Sequence, residues 1–224
     1  MGQHHDVTFP GEGTDYRAAR DALLGEEIAL RRQAENVAAL RRALPLGGAL
    51  KEDYVFQNLD GDDVALSALF TANSDNLLVY SFMYKSGGNA CPACTSIIDS
   101  LNGGAPHIKA NLNFAVVAKA SPGELKTWAD GRGWSNLTFL SSGRTTYNSD
   151  YKSEDGEENQ VPMVNVFHKS ADGIFHTWAS ELFYAASEEG QHPRHVDQIW
   201  PLWSVYDLAP AGRPENWFPA FSYD

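Results

Sequence analysis

The sequence predicts an α/β fold, a central mixed sheet with helices on both faces. Three observations carry this. Apolar runs at 77–84, 114–118 and 137–140 alternate with stretches of helical spacing, and strands joined by helices form a parallel sheet covered on its faces. Met163-Val164-Asn165-Val166-Phe167 and Ile174-Phe175-His176-Thr177-Trp178 flank the turn residues Ala171-Asp172-Gly173, which adds an antiparallel hairpin. The only two cysteines, Cys91 and Cys94, stand between the first apolar run and a helical stretch.

Residues 1–13 are polar and glycine-containing and read as a loose arm. Thr14 or Asp15 caps a helix running to about Leu44, where Pro45 and Gly47-Gly48 stop it. Its apolar stripe of Leu24, Ile28, Val37, Leu40 and Leu44 is partial, and Glu27 and Arg31 make a favourable i,i+4 pair. A helix this polar lies against a body or a second subunit. Residues 53–66 read as a hairpin turning at Asn58-Leu59-Asp60-Gly61, and 66–70 as a helical turn. The run 77–84 is apolar throughout, the pattern of a strand covered on both faces.

A glycine-rich loop, 86–90, leads into the cysteines, and helical spacing from Thr95 to Leu101 ends at Asn102-Gly103-Gly104. Residues 114–118 are a second buried strand. Ser121 caps the next helix, with Pro122 in the first helical position, where its missing N–H costs nothing. Residues 137–140 make a short strand, and 154–158 a solvated acidic loop within the polar stretch 141–160. A helical stretch follows the closing hairpin. The organisation is an arm and helix over 1–49, a main domain over 50–190 and a C-terminal tail over 191–224.

Composition narrows the function classes. With 224 residues, 43% hydrophobic and 21% charged, the chain is globular and long enough to bury roughly 70–75% of its unfolded surface without a staple. A net charge of −12 argues against nucleic-acid and anionic-membrane partners. No apolar run approaches the ~20 residues of a membrane span. The N-terminus lacks a basic stretch followed by an apolar one, so the expected compartment is the cytoplasm, where thiols are kept reduced.

The spacing Cys91-Pro92-Ala93-Cys94 has its own chemistry. A helix N-terminus presents unpaired amides and a partial positive charge, so a thiol there ionises below roughly pH 8.5. Cys94, three residues on, sits close enough to attack a mixed disulfide formed on Cys91. Cys91 is then the exposed nucleophile and Cys94 the more buried resolving thiol, with no dissociable cofactor. Such a pair is also half of a zinc site. However, His168 lies six residues past Pro162 on one strand, ~20 Å away at ~3.3 Å per residue, and His176 pairs back beside it. Only His107 remains, so no metal is expected. His192 and His195 read as isolated surface histidines, Arg144 as a solvated loop residue, and Tyr80 and Tyr84 as core or rim aromatics, one of which could donate to a substrate.

Residues 50–190 resemble the thioredoxin-like superfamily in Leu66-Ser67-Ala68-Leu69-Phe70, the strand 77–82, the cysteine pair, and Val161-Pro162-Met163-Val164-Asn165-Val166-Phe167. The resemblance implies a three-layer fold, a cis bond between Val161 and Pro162 facing the cysteines, and a substrate chain paired with the backbone of Val161. The substrate-binding set is then Val161, Pro162, Pro92 and Tyr84. More closely, nearly the whole chain resembles a bacterial thioredoxin-like family of unknown function, whose members are often labelled predicted dithiol-disulfide isomerases. The shared features are Arg41-Arg42-Ala43-Leu44-Pro45, Asp53-Tyr54-Val55-Phe56, Phe82-Met83, Pro106-His107, Gly133-Trp134 and Leu208-Ala209-Pro210-Ala211-Gly212-Arg213. There are departures. The loop before Cys91 is longer than in thioredoxin, no tryptophan stands just ahead of it, and Gly88 replaces the Thr or Ser of peroxiredoxins.

The expected function is a thiol–disulfide oxidoreductase, reductase or isomerase, acting on a protein or small-molecule disulfide. The alternatives are a thiol peroxidase using Cys91 and a non-catalytic binding module. Trp200, Trp203, Tyr206, Trp217, Phe218, Phe221 and Tyr223 crowd the last 25 residues. Rings that bury roughly 150–250 Å² each must dock on their own domain or on a second subunit. The expectation is a homodimer to which both termini contribute.

Overall fold

The computed structural model describes residues 4–157, 159–187 and 194–223. They form two compact units, one ending at Pro45 and one starting at Leu46. The first is built on helix α1, Thr14–Arg42. Gly13, and not Thr14 or Asp15, is its N-cap, and no side chain caps it. Asp15 in the first turn and Arg41 and Arg42 in the last complement the helix dipole instead. Glu27 pairs with Arg20 at 2.9 Å, two turns back on the same face, and not with Arg31 as the i,i+4 spacing suggested.

The second unit holds seven strands: β1 (Val55–Gln57), β2 (Asp63–Ala65), β3 (Asn76–Lys85), β4 (Asn113–Lys119), β5 (Thr138–Ser141), β6 (Val164–Ser170) and β7 (Gly173–Ala179). They lie in the order β2-β1-β5-β4-β3-β6-β7. β3, β4 and β5 are parallel, while β6 runs antiparallel to β3 and β7 to β6. Helices α2 (Pro92–Asn102) and α3 (Ala105–Lys109) connect β3 to β4, and α4 (Pro122–Arg132) connects β4 to β5. A core β4-β3-β6-β7, parallel then antiparallel, with a helix opening just after β3, is the thioredoxin-like arrangement. The β1–β2 hairpin and β5 extend it beyond β4. Helices α3, α5 (Tyr147–Asp150) and α6 (Leu202–Tyr206) are too short for periodicity to betray them, and the expected C-terminal helical stretch is broken into such single turns.

β3 explains its own apolar sequence. Tyr80, Phe82 and Tyr84 pack on one face with Cys94, Ile97, Ile98 and Leu101 of α2. Leu77 and Val79 pack on the other with Tyr54, Phe56, Tyr147 and Phe167. Neither face meets water, so alternation is lost.

The C-terminal tail docks on this same unit. Trp200 is buried and its Nε1 donates to Ser96 Oγ of α2 at 3.2 Å. Phe221 meets Trp128 of α4 edge-on at 5.1 Å, and Arg132 Nη1 donates to the Phe221 carbonyl at 2.6 Å. Glu154, expected in the solvated acidic loop, is instead buried against Lys119 Nζ at 2.6 Å. Its backbone bridges to Gln160, which turns it in toward the end of β4. Glu158 lies outside the described residues. No helix among the described residues is long and apolar enough to cross a membrane.

Candidate active site

The site begins where β3 ends. Beyond Lys85 the chain turns back, with Gly88 N–H donating to Lys85 O at 2.9 Å and Cys91 N–H donating to Met83 O at 3.0 Å. Gly87 takes φ 71°, a left-handed conformation that glycine adopts without a Cβ penalty. The loop is pinned from α4. Ser121 and Glu124 form a reciprocal capping box. The same Glu124 carboxylate accepts the Gly87 amide at 2.8 Å and the Ser86 hydroxyl at 2.8 Å. The hydroxyl of Ser121 and the Gly87 amide, in that order, hold its pKa down to about 2.

Cys91 is the N-cap of α2 and Pro92 occupies the first turn. Cys91 Sγ accepts the Cys94 amide at 3.4 Å, and Thr95 Oγ1 donates to Cys91 O at 2.9 Å. Both cysteines are free thiols, Cys91 half-buried and Cys94 buried. A hydrogen bond from the Cys94 thiol lowers the Cys91 pKa to about 6. The Cys94 and Ala93 amides add to this, and burial opposes it. Burial first, then the hydrogen bond and charge of Cys91, push Cys94 well above the ordinary thiol range. The two thiols are thus driven apart, one toward thiolate and one toward neutral thiol.

Tyr80 lies beneath them. Its hydroxyl is buried without a well-formed hydrogen bond, and its pKa is pushed up by burial and then by the Cys94 charge. It therefore faces the Cys94 thiol. Tyr84 packs against Phe82 at 5.8 Å and Trp128 at 5.9 Å, so its ring is part of the core wall.

The Val161–Pro162 segment differs from expectation. The peptide is trans, since no cis bond occurs among the described residues. Trans is the lower-energy state of an X–Pro bond, and the flanking backbone hydrogen bonds form with it. Val161 N–H donates to Ser153 O at 2.9 Å and Ser81 N–H to Met163 O at 2.8 Å. This continues the β3–β6 register and sets Pro162 level with Phe82, near the end of β3 that carries the cysteines. The Val161 amide is spent inside the chain, so pairing with a substrate strand lacks that donor. The cis bond that the resemblance implied between Val161 and Pro162 is therefore absent.

His195 corrects a second expectation. It is 3% exposed, its ring lies edge-on to Phe183 at 4.9 Å, and its Nε2 is 2.7 Å from Pro162 O. A carbonyl only accepts, so Nε2 carries the proton. His192 lies outside the described residues, among which no group of three or more His, Cys, Asp or Glu could hold a metal ion. Arg144 is exposed. Sequence reasoning missed His195, the Tyr80–Cys94 contact and the second bond of Glu124. Only the last had a signal, the Ser121-x-x-Glu124 capping pattern. A separate cavity of about 580 Å³, lined by Tyr151, Met163, Asn165, His176, Glu181 and Tyr184, takes in Tyr151, which packs with Tyr147 and Phe167 on the sheet face away from α2.

The family described as bacterial protein of unknown function, DUF899, matches residues 6–223, and the chain belongs to it. No curated protein matches. Among solved structures, a cysteine variant of peroxiredoxin Q from Xanthomonas campestris is 14% identical with a TM-score of 0.48, covering 71% of this chain and 96% of its own. A hypothetical protein from Sinorhizobium meliloti is 16% identical with a TM-score of 0.45, covering 79% and 91%. Peroxidoxin BcpB from Mycobacterium tuberculosis is 19% identical with a TM-score of 0.44, covering 70% and 94%.

Proposed function

We propose that this member of the family is a thiol–disulfide oxidoreductase working through Cys91 and Cys94. The opposed shifts of the two thiols carry the reading, with Cys91 lowered to about 6 and Cys94 raised. At neutral pH the Cys91 thiolate attacks one sulfur of a substrate disulfide. The S–S bond breaks and the departing thiolate takes a proton. Cys94 then loses its proton, attacks Cys91 Sγ, and releases the second substrate sulfur as a thiol. The substrate gains two electrons and the chain ends as the Cys91–Cys94 disulfide, which a dithiol donor must reduce. Pro92 sits beside the attacking sulfur, in the first turn of α2, and no dissociable cofactor enters. A reducing compartment such as the cytoplasm would keep the dithiol ready.

A glutathione redox titration with mass mapping tests this, run beside insulin-reduction and peroxide-consumption assays. A two-electron Cys91–Cys94 transition and insulin reduction lost in Cys91→Ser are expected. Peroxide consumption without insulin reduction would make the chain a thiol peroxidase, and neither activity would make it a binding module.

A further inference from the structure

α1 runs for 29 residues, and none of them is buried. At 1.5 Å per residue it spans about 43 Å, and helices in proteins draw most of their stability from packing an apolar face. Its apolar side chains supply such a face. Tyr16, Leu23, Leu30 and Val37 recur every seven residues, and Leu44 continues the series just past the helix end. Tyr16 is 57% exposed, Leu23 52%, Leu30 70% and Leu44 49%. A seven-residue series drifts only ~20° per repeat on a straight helix, so its members stay on one side. Leu23 and Leu30 line a groove with Glu26, Glu27 and Ala29. The N-terminal arm follows the other side: His4 lies within 3.6 Å of where a Cβ on Gly25 would stand, and Arg17 Nη1 reaches Val7 O at 3.4 Å.

Charge selects the occupant. Residues 14–28 carry Asp15, Asp21, Glu26 and Glu27 against Arg17 and Arg20. Residues 29–42 carry Arg31, Arg32, Arg41 and Arg42 against Glu35. A parallel second helix would set like charge on like, whereas an antiparallel copy sets the acidic half on the basic half.

We infer that the Tyr16–Leu23–Leu30–Val37 face of α1 is the seam of a homodimer, packed antiparallel on α1 of a second copy. Centred on Leu30, the two-fold brings Leu30 onto its counterpart, Leu23 level with Val37, and Tyr16 level with Leu44. Every member of the series meets another member, as an isologous interface requires. Glu27 comes level, within one residue, with Arg32 of the second copy. The seam uses the N-terminal helix alone, because the aromatic tail is already docked on α2 and α4.

Light scattering of the full chain at micromolar concentration should give about twice the 24.6 kDa chain mass. Leu23→Glu with Leu30→Glu should give the monomer mass while leaving the alkylation rate of Cys91 unchanged, which verifies that the main unit is folded. Because those changes could unfold α1 itself, charge reversal supplies the second readout. Arg31→Glu with Arg32→Glu should weaken the dimer at least tenfold, and adding Glu26→Lys and Glu27→Lys should restore it. A monomer at all concentrations overturns the inference, as does a dimer that survives the leucine changes or a charge swap that fails to rescue.

Discussion

The carboxylate of Glu124 accepts the amide of Gly87 at 2.8 Å while it caps α4. One side chain therefore joins a helix start to the loop that delivers Cys91. Replacing a cap on α4 should be felt at the dithiol, 33 residues away in sequence.

This bond is pH-sensitive in a defined direction. Glu124 titrates at about 2 in the fold, against an ordinary value of 4.5. A depressed carboxyl pKa contributes stability that is fully present above the unfolded value and is lost as pH falls through the folded one. Glu124→Gln should lower the Tm above pH 5, and the gap from the parent should close between about pH 4.5 and 2. Melting curves across that range check it. A gap that stays constant would mean the charge is not what the amides bind.

The dithiol prediction is kinetic. The rate of Cys91 alkylation by iodoacetamide should rise with pH around a midpoint near 6, and mass mapping should find Cys91 labelled well before Cys94. Cys94→Ala removes the largest cause of the lowered pKa and keeps the helix amides, so the midpoint should move up. Equal, slow labelling of both thiols would overturn the assignment of Cys91 as the attacking thiol.

Lys119 and Glu154 form an ion pair with side-chain exposures of 24% and 8%. Lys119→Met should strand the carboxylate, and breaking a buried pair from one side costs about 3–5 kcal/mol. The partial exposure of Lys119 places the loss at the lower end. Urea denaturation should show this, and adding Glu154→Gln should recover part of it.

His195→Ala deletes the donor to Pro162 O. A carbonyl left without its partner costs about 1–3 kcal/mol, so the urea midpoint should fall with no change in slope. An unchanged midpoint would show that the contact adds nothing to stability.

Local spacing was enough for the elements that position the site. β3 declared itself because burial on both faces removes alternation, and α4 because Ser121-Pro122 and Glu124 satisfy its first amides within four residues. The placement of Cys91 at a helix start followed from the same short-range rules. The charge and seven-residue patterns of α1 were equally present in the sequence, although the Glu27–Arg31 pair read from them gave way to Glu27–Arg20.

What the sequence by itself determined is thus the strands and the longer helices, their α/β class and the place of the cysteine pair at a helix start, all functions of neighbours a few residues apart. The tertiary structure alone decided the rest. It set Val161–Pro162 trans, with the Val161 amide held by Ser153 and the Pro162 carbonyl by His195. It drew His195 and Glu154 out of water, and it seated Trp200 on Ser96 across 104 residues. Each of these is a partnership between distant segments. A buried polar group is stable wherever packing brings it a partner, and no local pattern encodes which distant residue that partner will be.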